Sequence, residues 1–145
     1  MRKRKDVKES NEILELTPQM KALSKLKVSF KCKTENQKKF VRLIDNNDII
    51  ITVGSPGTGK TYIACAEALS LLSKGLFKKI ILAKSVTVIE GEDIGYLKGT
   101  IQDKLEPVMI SHLDNFYKII GKPLTEELIH VGMIEIMPLA YIRGR

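Results

Sequence analysis

The apolar residues of this chain gather in three short runs separated by helical and turn-forming stretches. Ile49–Val53 (IIITV) is continuous and β-branched, which predicts a strand covered on both faces. KIILA at 79–83 repeats the pattern, and MIEIM at 133–137 supplies a third strand that Pro138 stops. Between the first two runs, an alanine-rich segment predicts a helix from Lys60 to about Ser73, closed by Gly75. Strand, helix and strand make one βαβ unit, so the sheet is expected to be parallel with a right-handed crossover.

Polar positions mark the remaining elements. Thr17-Pro18 reads as an N-cap with proline at the first helical position, starting a short helix towards Lys25. Thr34-x-x-Gln37 has the capping-box form and opens an amphipathic helix to about Ile44. Phe40, Val41, Leu43 and Ile44 form its apolar side, and Asn46-Asn47 end it. Ser85–Thr100, rich in glycine and acidic residues, reads as a functional loop. Ile101–Ile120 is expected to be helical, split or kinked at Pro107. Gly121-Lys122-Pro123 reads as a turn, Thr125 as the cap of a short helix to about His130, and Gly132 as its end.

Composition narrows the class. At 145 residues the chain is one domain's worth of sequence. The division expected is a mobile arm at 1–16 and a domain at 17–145. No apolar run approaches the ~20 residues that a bilayer crossing needs. The basic N-terminus, MRKRKDVKES, has no apolar segment after it, so it is not a secretory signal. Cys32 and Cys65 have no partner motif and fit buried thiols in a reducing compartment. A cytoplasmic protein without membrane contact is expected. The net charge of +7 is unevenly placed: residues 1–40 carry 12 Lys/Arg against 5 Asp/Glu, and the rest carry 12 against 12. A basic arm on a neutral body favours polyanions such as single-stranded RNA. The plainer alternative is a solvated tail, since no aromatic residues are interleaved with its lysines to stack on bases.

The chemistry centres on GSPGTGKTY at 54–62. Gly54-x4-Gly59-Lys60-Thr61 is a phosphate loop, with Ser55, Pro56, Gly57 and Thr58 inside it and Tyr62 just beyond. Its glycines permit positive φ and close backbone approach, so successive N–H groups can face one phosphate. The following helix N-terminus adds a positive potential. Lys60 is the residue for the β- and γ-phosphates, and the Thr61 hydroxyl is the candidate magnesium ligand. A chance match to four specified positions in a chain of this length has odds of roughly one in two hundred. A strand before the loop and a helix after it reduce those odds further.

Other residues carry weaker signals. Gln37 could pair bidentately with an adenine edge, or could simply complete a capping box. Lys84, past the second strand, sits where parallel sheets bind ligands, and is equally suited to snorkel. His112 and His130 lack metal-like spacing, and Met133 and Met137 suit a core. The magnesium is normally completed by an acidic residue ending a hydrophobic strand. Downstream of the loop no such segment occurs: Glu135 lies mid-strand, and Glu90, Glu92 and Asp93 lie in the acidic loop.

Together, TENQ, DIIITVGSPGTGKTYIACAEAL, KIILAKS, EGEDIGYLKGTIQDKLEP and IEIMPLAYIRGR resemble successive blocks of the PhoH-like ATPase family, across about residues 34–145. The resemblance implies an α/β fold: a RecA-like P-loop NTPase core with a mainly parallel sheet and flanking helices. It also implies kinship with superfamily 1 helicases, ATP and Mg2+ as ligands, and a role near RNA. Gln37 matches the glutamine that reads adenine in related ATPases, and Gly54, Gly57, Gly59, Lys60 and Thr61 match the phosphate loop. Lys84, Gly91, Glu92, Gly95, Leu97 and Gly99 fall in the block after the second strand, where Lys84-Ser85 replaces the usual Arg-Pro. Arg143 and Arg145 match an arginine-rich turn. In the family an Asp-Glu strand follows that turn, and the sequence ends before it. The expectation is thus a front half of the domain, whose missing strand a second piece could supply, with a homo-oligomer or a complementing chain as the possible assembly.

The main reading is an ATP-binding protein that hydrolyses ATP if the Asp-Glu strand is supplied, with Lys60 and Glu92 as catalytic residues. The alternative is a non-catalytic, nucleotide-dependent module that binds nucleic acid or protein. A small-molecule kinase fits less well, because no arginine-rich lid is present in the sequence.

Overall fold

A computed structural model describes residues 16–85, 113–139 and 142. The basic arm before Leu16, residues 86–112, and Arg143 and Arg145 lie outside the described residues.

The helix starts follow local capping chemistry. In α1 (Pro18–Lys25) the Thr17 hydroxyl accepts the Met20 N–H at 3.3 Å, and proline occupies the first turn. In α2 (Glu35–Asn46) the Thr34 hydroxyl accepts the Gln37 N–H at 3.2 Å. α3 (Lys60–Ser73) begins behind Gly59 and ends before Gly75, whose φ of 71° suits the left-handed turn after a helix. A further helix, α4, covers residues 113–120, and α5 spans Lys122–His130.

α5 starts earlier than its sequence predicts. Gly121 (φ 81°) and the proline in the first turn launch the helix where a turn was expected. Thr125 is therefore inside α5 rather than capping it. It is buried, and its hydroxyl donates back to the Gly121 carbonyl at 2.9 Å.

The strands β1 (Ile80–Lys84) and β2 (Ile134–Pro138) pair in parallel, Ile80 opposite Ile134 and Lys84 opposite Pro138. Pro138 ends its strand as expected, from within its last position. The architecture is a mixed α/β one, a parallel sheet flanked by helices. Its core joins Ala22, Leu26, Cys65, Leu69, Leu72 and Phe116 with Leu113, Leu128, Met133 and Ile134. α1 is fixed to α5 by Lys25, whose ammonium lies 2.7 and 3.0 Å from the Glu127 carboxylate oxygens.

A larger departure concerns the first apolar run. Ile49–Val53 is not a strand, and Ile49, Ile51 and Val53 are 84%, 86% and 91% exposed. β1 pairs with β2 instead, so among the described residues no strand flanks this segment. A β-branched run is buried on both faces only when neighbouring strands and covering helices are present. No helix among the described residues is long and apolar enough to cross a membrane.

Candidate nucleotide-binding site

Thr52 and Val53 lead into the loop, and α3 leads out of it. Between them and the start of α2 lies a cavity of about 550 Å³. Of the residues singled out from sequence, Gln37, Gly54, Ser55, Gly57, Thr58, Gly59 and Lys60 line it. Pro56 is exposed in the turn, Thr61 is exposed in the first turn of α3, and Tyr62 is half-buried beside it. Glu92 lies outside the described residues, as do Glu90, Gly91, Asp93, Gly95, Leu97, Gly99 and His112.

The loop's shape requires glycine at two positions for different reasons. Gly57 has φ 76° with open space around it, so only its backbone conformation is restrictive. Gly59 has φ 83°, and a Cβ there would lie 3.2 Å from Gln37 Nε2. At Gly59 conformation and space both disfavour a side chain. The Thr58 hydroxyl donates to the Ser55 carbonyl at 3.0 Å, tightening the turn. Behind the loop, α3 has no side-chain cap, which leaves its first-turn N–H groups directed at the cavity side.

Lys60 folds back over the loop. Its ammonium donates to the carbonyls of Gly54 at 2.8 Å and Ser55 at 2.7 Å, and to the Thr58 hydroxyl at 3.3 Å. A cation is thereby held at the loop's mouth by neutral acceptors, available for exchange with an anion.

Gln37 joins α2 to the loop. Its Oε1 accepts the Lys33 N–H at 2.7 Å, and its Nε2 donates to the Thr58 carbonyl at 3.0 Å. A capping box would send this side chain to the Thr34 N–H. It reaches one residue further back instead, which frees the amide's other end for the loop. Thr34, expected only as a helix cap, also lines the cavity, as do Lys33 and Asn36, which were not singled out from sequence. The signal available for them was their place immediately before and within the capped turn that carries Gln37.

Thr61 follows Lys60 at the start of α3, and among the described residues no group of three or more His, Cys, Asp or Glu could hold a metal.

Lys84 ends β1, half-buried, and His130 is exposed at the end of α5, while Met133 and Met137 are in the core. Burial pushes the Cys65 thiol up to about 11, which makes it an unreactive core residue. Cys32 is half-buried. Further along α3, Glu67 is buried, with Asp45 of α2 beside it and the Lys74 ammonium 3.9 Å away. Burial raises its carboxyl above the ordinary range, and the Asp45 charge raises it further.

Comparison with known proteins points in one direction. A family model described as PhoH-like protein matches residues 29–145. The chain is 40% identical to a PhoH-like protein of Bacillus subtilis over 117 residues, 81% of this chain and 36% of that protein. It is 40% identical to one from Mycobacterium tuberculosis (strain H37Rv) over 123 residues, 85% of this chain and 35% of that protein. Protein PhoH2 of Thermobispora bispora is 34% identical over 105 residues, 71% of this chain and 24% of that protein. The chain spans about a third of the length of the first two relatives.

Proposed function

The chain belongs to the PhoH-like protein family, and from that premise we propose that it binds ATP in the Gly54–Thr61 loop and hydrolyses it within a complete domain. The observation that supports this reading is the loop itself, a glycine-shaped turn at an uncapped helix N-terminus with the Lys60 ammonium at its mouth.

In this reading Lys60 leaves the Gly54 and Ser55 carbonyls for the β- and γ-phosphate oxygens. The N–H groups of the loop and of the first turn of α3 face the same phosphates. Thr61 would hold Mg2+, which supplies charge neutralisation between the β- and γ-phosphates. Gln37 holds the loop against α2 and offers its amide to the adenine edge. Glu92 is the candidate carboxylate for aiming the water, with a residue of a second subunit as the other source. RNA is the proposed partner of the ATP cycle, and the cytoplasm its compartment.

The first experiment is nucleotide binding by titration calorimetry, followed by phosphate release from Mg-ATP with and without single-stranded RNA. Lys60→Ala is expected to weaken ATP binding ~10- to 100-fold, from the ~1.5–3 kcal/mol of a hydrogen bond to a charged group. Unchanged affinity in a variant that melts like wild type would overturn the assignment of the loop. Turnover above the Lys60→Ala background supports hydrolysis by this chain. Binding without turnover limits the chain to the nucleotide-dependent binding role.

A further inference from the structure

The excess of positive charge extends into the folded body. From Leu16 to Thr34 the sequence has five lysines and no acidic residue. Residues 27–33 join α1 to α2 and belong to neither helix nor strand. Their exposure alternates: Lys27, Ser29, Lys31 and Lys33 are exposed, while Val28, Phe30 and Cys32 are half-buried. Val28 packs on the core and anchors the segment. A period of two is that of extended backbone, which spaces Lys31 and Lys33 about 6–7 Å apart and sets Lys27 ~13 Å from Lys31 on the same face. Nearby, Lys25 and Lys38 are neutralised by Glu127 and Glu35. Lys27, Lys31 and Lys33 make no ion pair among the described residues.

We propose that Lys27, Lys31 and Lys33 form a track for the backbone of a single-stranded nucleic acid, leading into the nucleotide cavity. A single file of cations matches a linear polyanion with one charge per nucleotide. The apolar residues of the segment turn inward, so this face has nothing to insert into a bilayer. The file ends at Lys33, which lines the nucleotide cavity. There the Lys33 N–H is bound to Gln37, and Gln37 to the Thr58 carbonyl, so the track meets the phosphate loop through two hydrogen bonds. This inference rests on the RNA-linked part of the proposed function and assigns it a surface in the folded domain instead of the N-terminal arm.

The test is fluorescence anisotropy of a short labelled oligouridylate, titrated across a range of salt concentrations. The proteins compared are wild type, Lys27→Gln/Lys31→Gln/Lys33→Gln, a Lys78→Gln/Lys118→Gln control, and the chain without residues 1–15. Loss of three phosphate contacts is expected to lower the slope of log affinity against log salt by ~2. The control should keep the wild-type slope, and the shortened chain should keep the share due to the track. A Lys27→Arg/Lys31→Arg/Lys33→Arg variant should keep the slope, which separates lost charge from lost folding. A wild-type slope in the glutamine variant overturns the track while leaving the RNA-linked reading intact; no binding by wild type overturns both. Equal loss in the control, or complete loss on removing 1–15, also overturns the track. So does equally tight, equally track-dependent binding to phosphatidylserine vesicles.

Discussion

α3 divides a packed half of the molecule from a bare one. Its inner flank places Cys65, Leu69 and Leu72 in a cluster that draws on α1, α4, α5 and β2. Its outer flank faces α2, which has no fully buried residue. There, Ala64, Ala68 and Leu71 border an apolar cleft of about 340 Å³ with Ile44, Ile50 and Ile80. The phosphate loop and the extended segment before it belong to this second half. Two β-branched runs of the same type thus have opposite outcomes. IILAK finds a parallel partner in β2, and IIITV stands exposed. Strand formation in a parallel sheet depends on neighbours, not on the run alone. The difference also places the glycine-rich loop where local opening is cheapest, because few buried contacts must be broken there.

Replacing isoleucine in each half gives the sharpest contrast. Ile134, 1% exposed in β2, is expected to cost ~2–5 kcal/mol when changed to alanine. Ile51, 86% exposed, should change stability by no more than ~0.5 kcal/mol. Urea unfolding of the two variants decides the matter. A comparable loss at Ile51 would mean that 49–53 is covered in solution, and the contrast between the halves would collapse.

The same contrast explains what could be read from sequence. Helix starts were legible at Thr17 and Thr34 because a cap is settled within four residues. The glycine turn at Gly57 and Gly59 ahead of α3 was legible for the same reason, since spacing and local backbone define it. Strand partners were not, because nothing in IIITV says which strand will lie alongside. α5 was misplaced by a residue-level ambiguity: glycine and proline suit a turn, and equally suit a helix start. Within the site, Gln37 was legible by position, but its bond to Thr58 depends on how α2 meets the loop. Lys33 and Asn36 were marked only by their place beside Gln37, and it is the fold that brings them to the cavity.

In the bare half, the loop glycines should respond less than a core residue. Gly59→Ala forces a left-handed conformation on a residue with a Cβ and crowds Gln37, for ~1–2 kcal/mol. Gly57→Ala carries the conformational cost without the contact, so it should fall at the lower end. Paired urea melts test the ranking. Equal losses would show that the Gln37 side chain yields freely, and that the loop is not held against α2 in the manner its hydrogen bonds imply.

Glu67 lies at the seam of the two halves and gives the smallest effect. Its folded carboxyl is raised by burial and by Asp45 above the reference value of 4.5. The native state therefore holds the proton where the unfolded chain has released it. The stability contributed is fully present below about 4.5 and is lost as pH rises through the raised folded value. Glu67→Gln keeps the size and hydrogen-bonding capacity without the charge. It should remove this decline and be at least as stable as wild type at neutral pH, because the Lys74 partner at 3.9 Å is largely exposed and adds little. Denaturation midpoints for both proteins across acid to neutral pH provide the comparison. If the two curves run parallel, Glu67 ionises as freely as a surface carboxylate. The seam between α2 and α3 would then be as open to water as the outer flank, and the boundary between the halves would lie inside α3 itself.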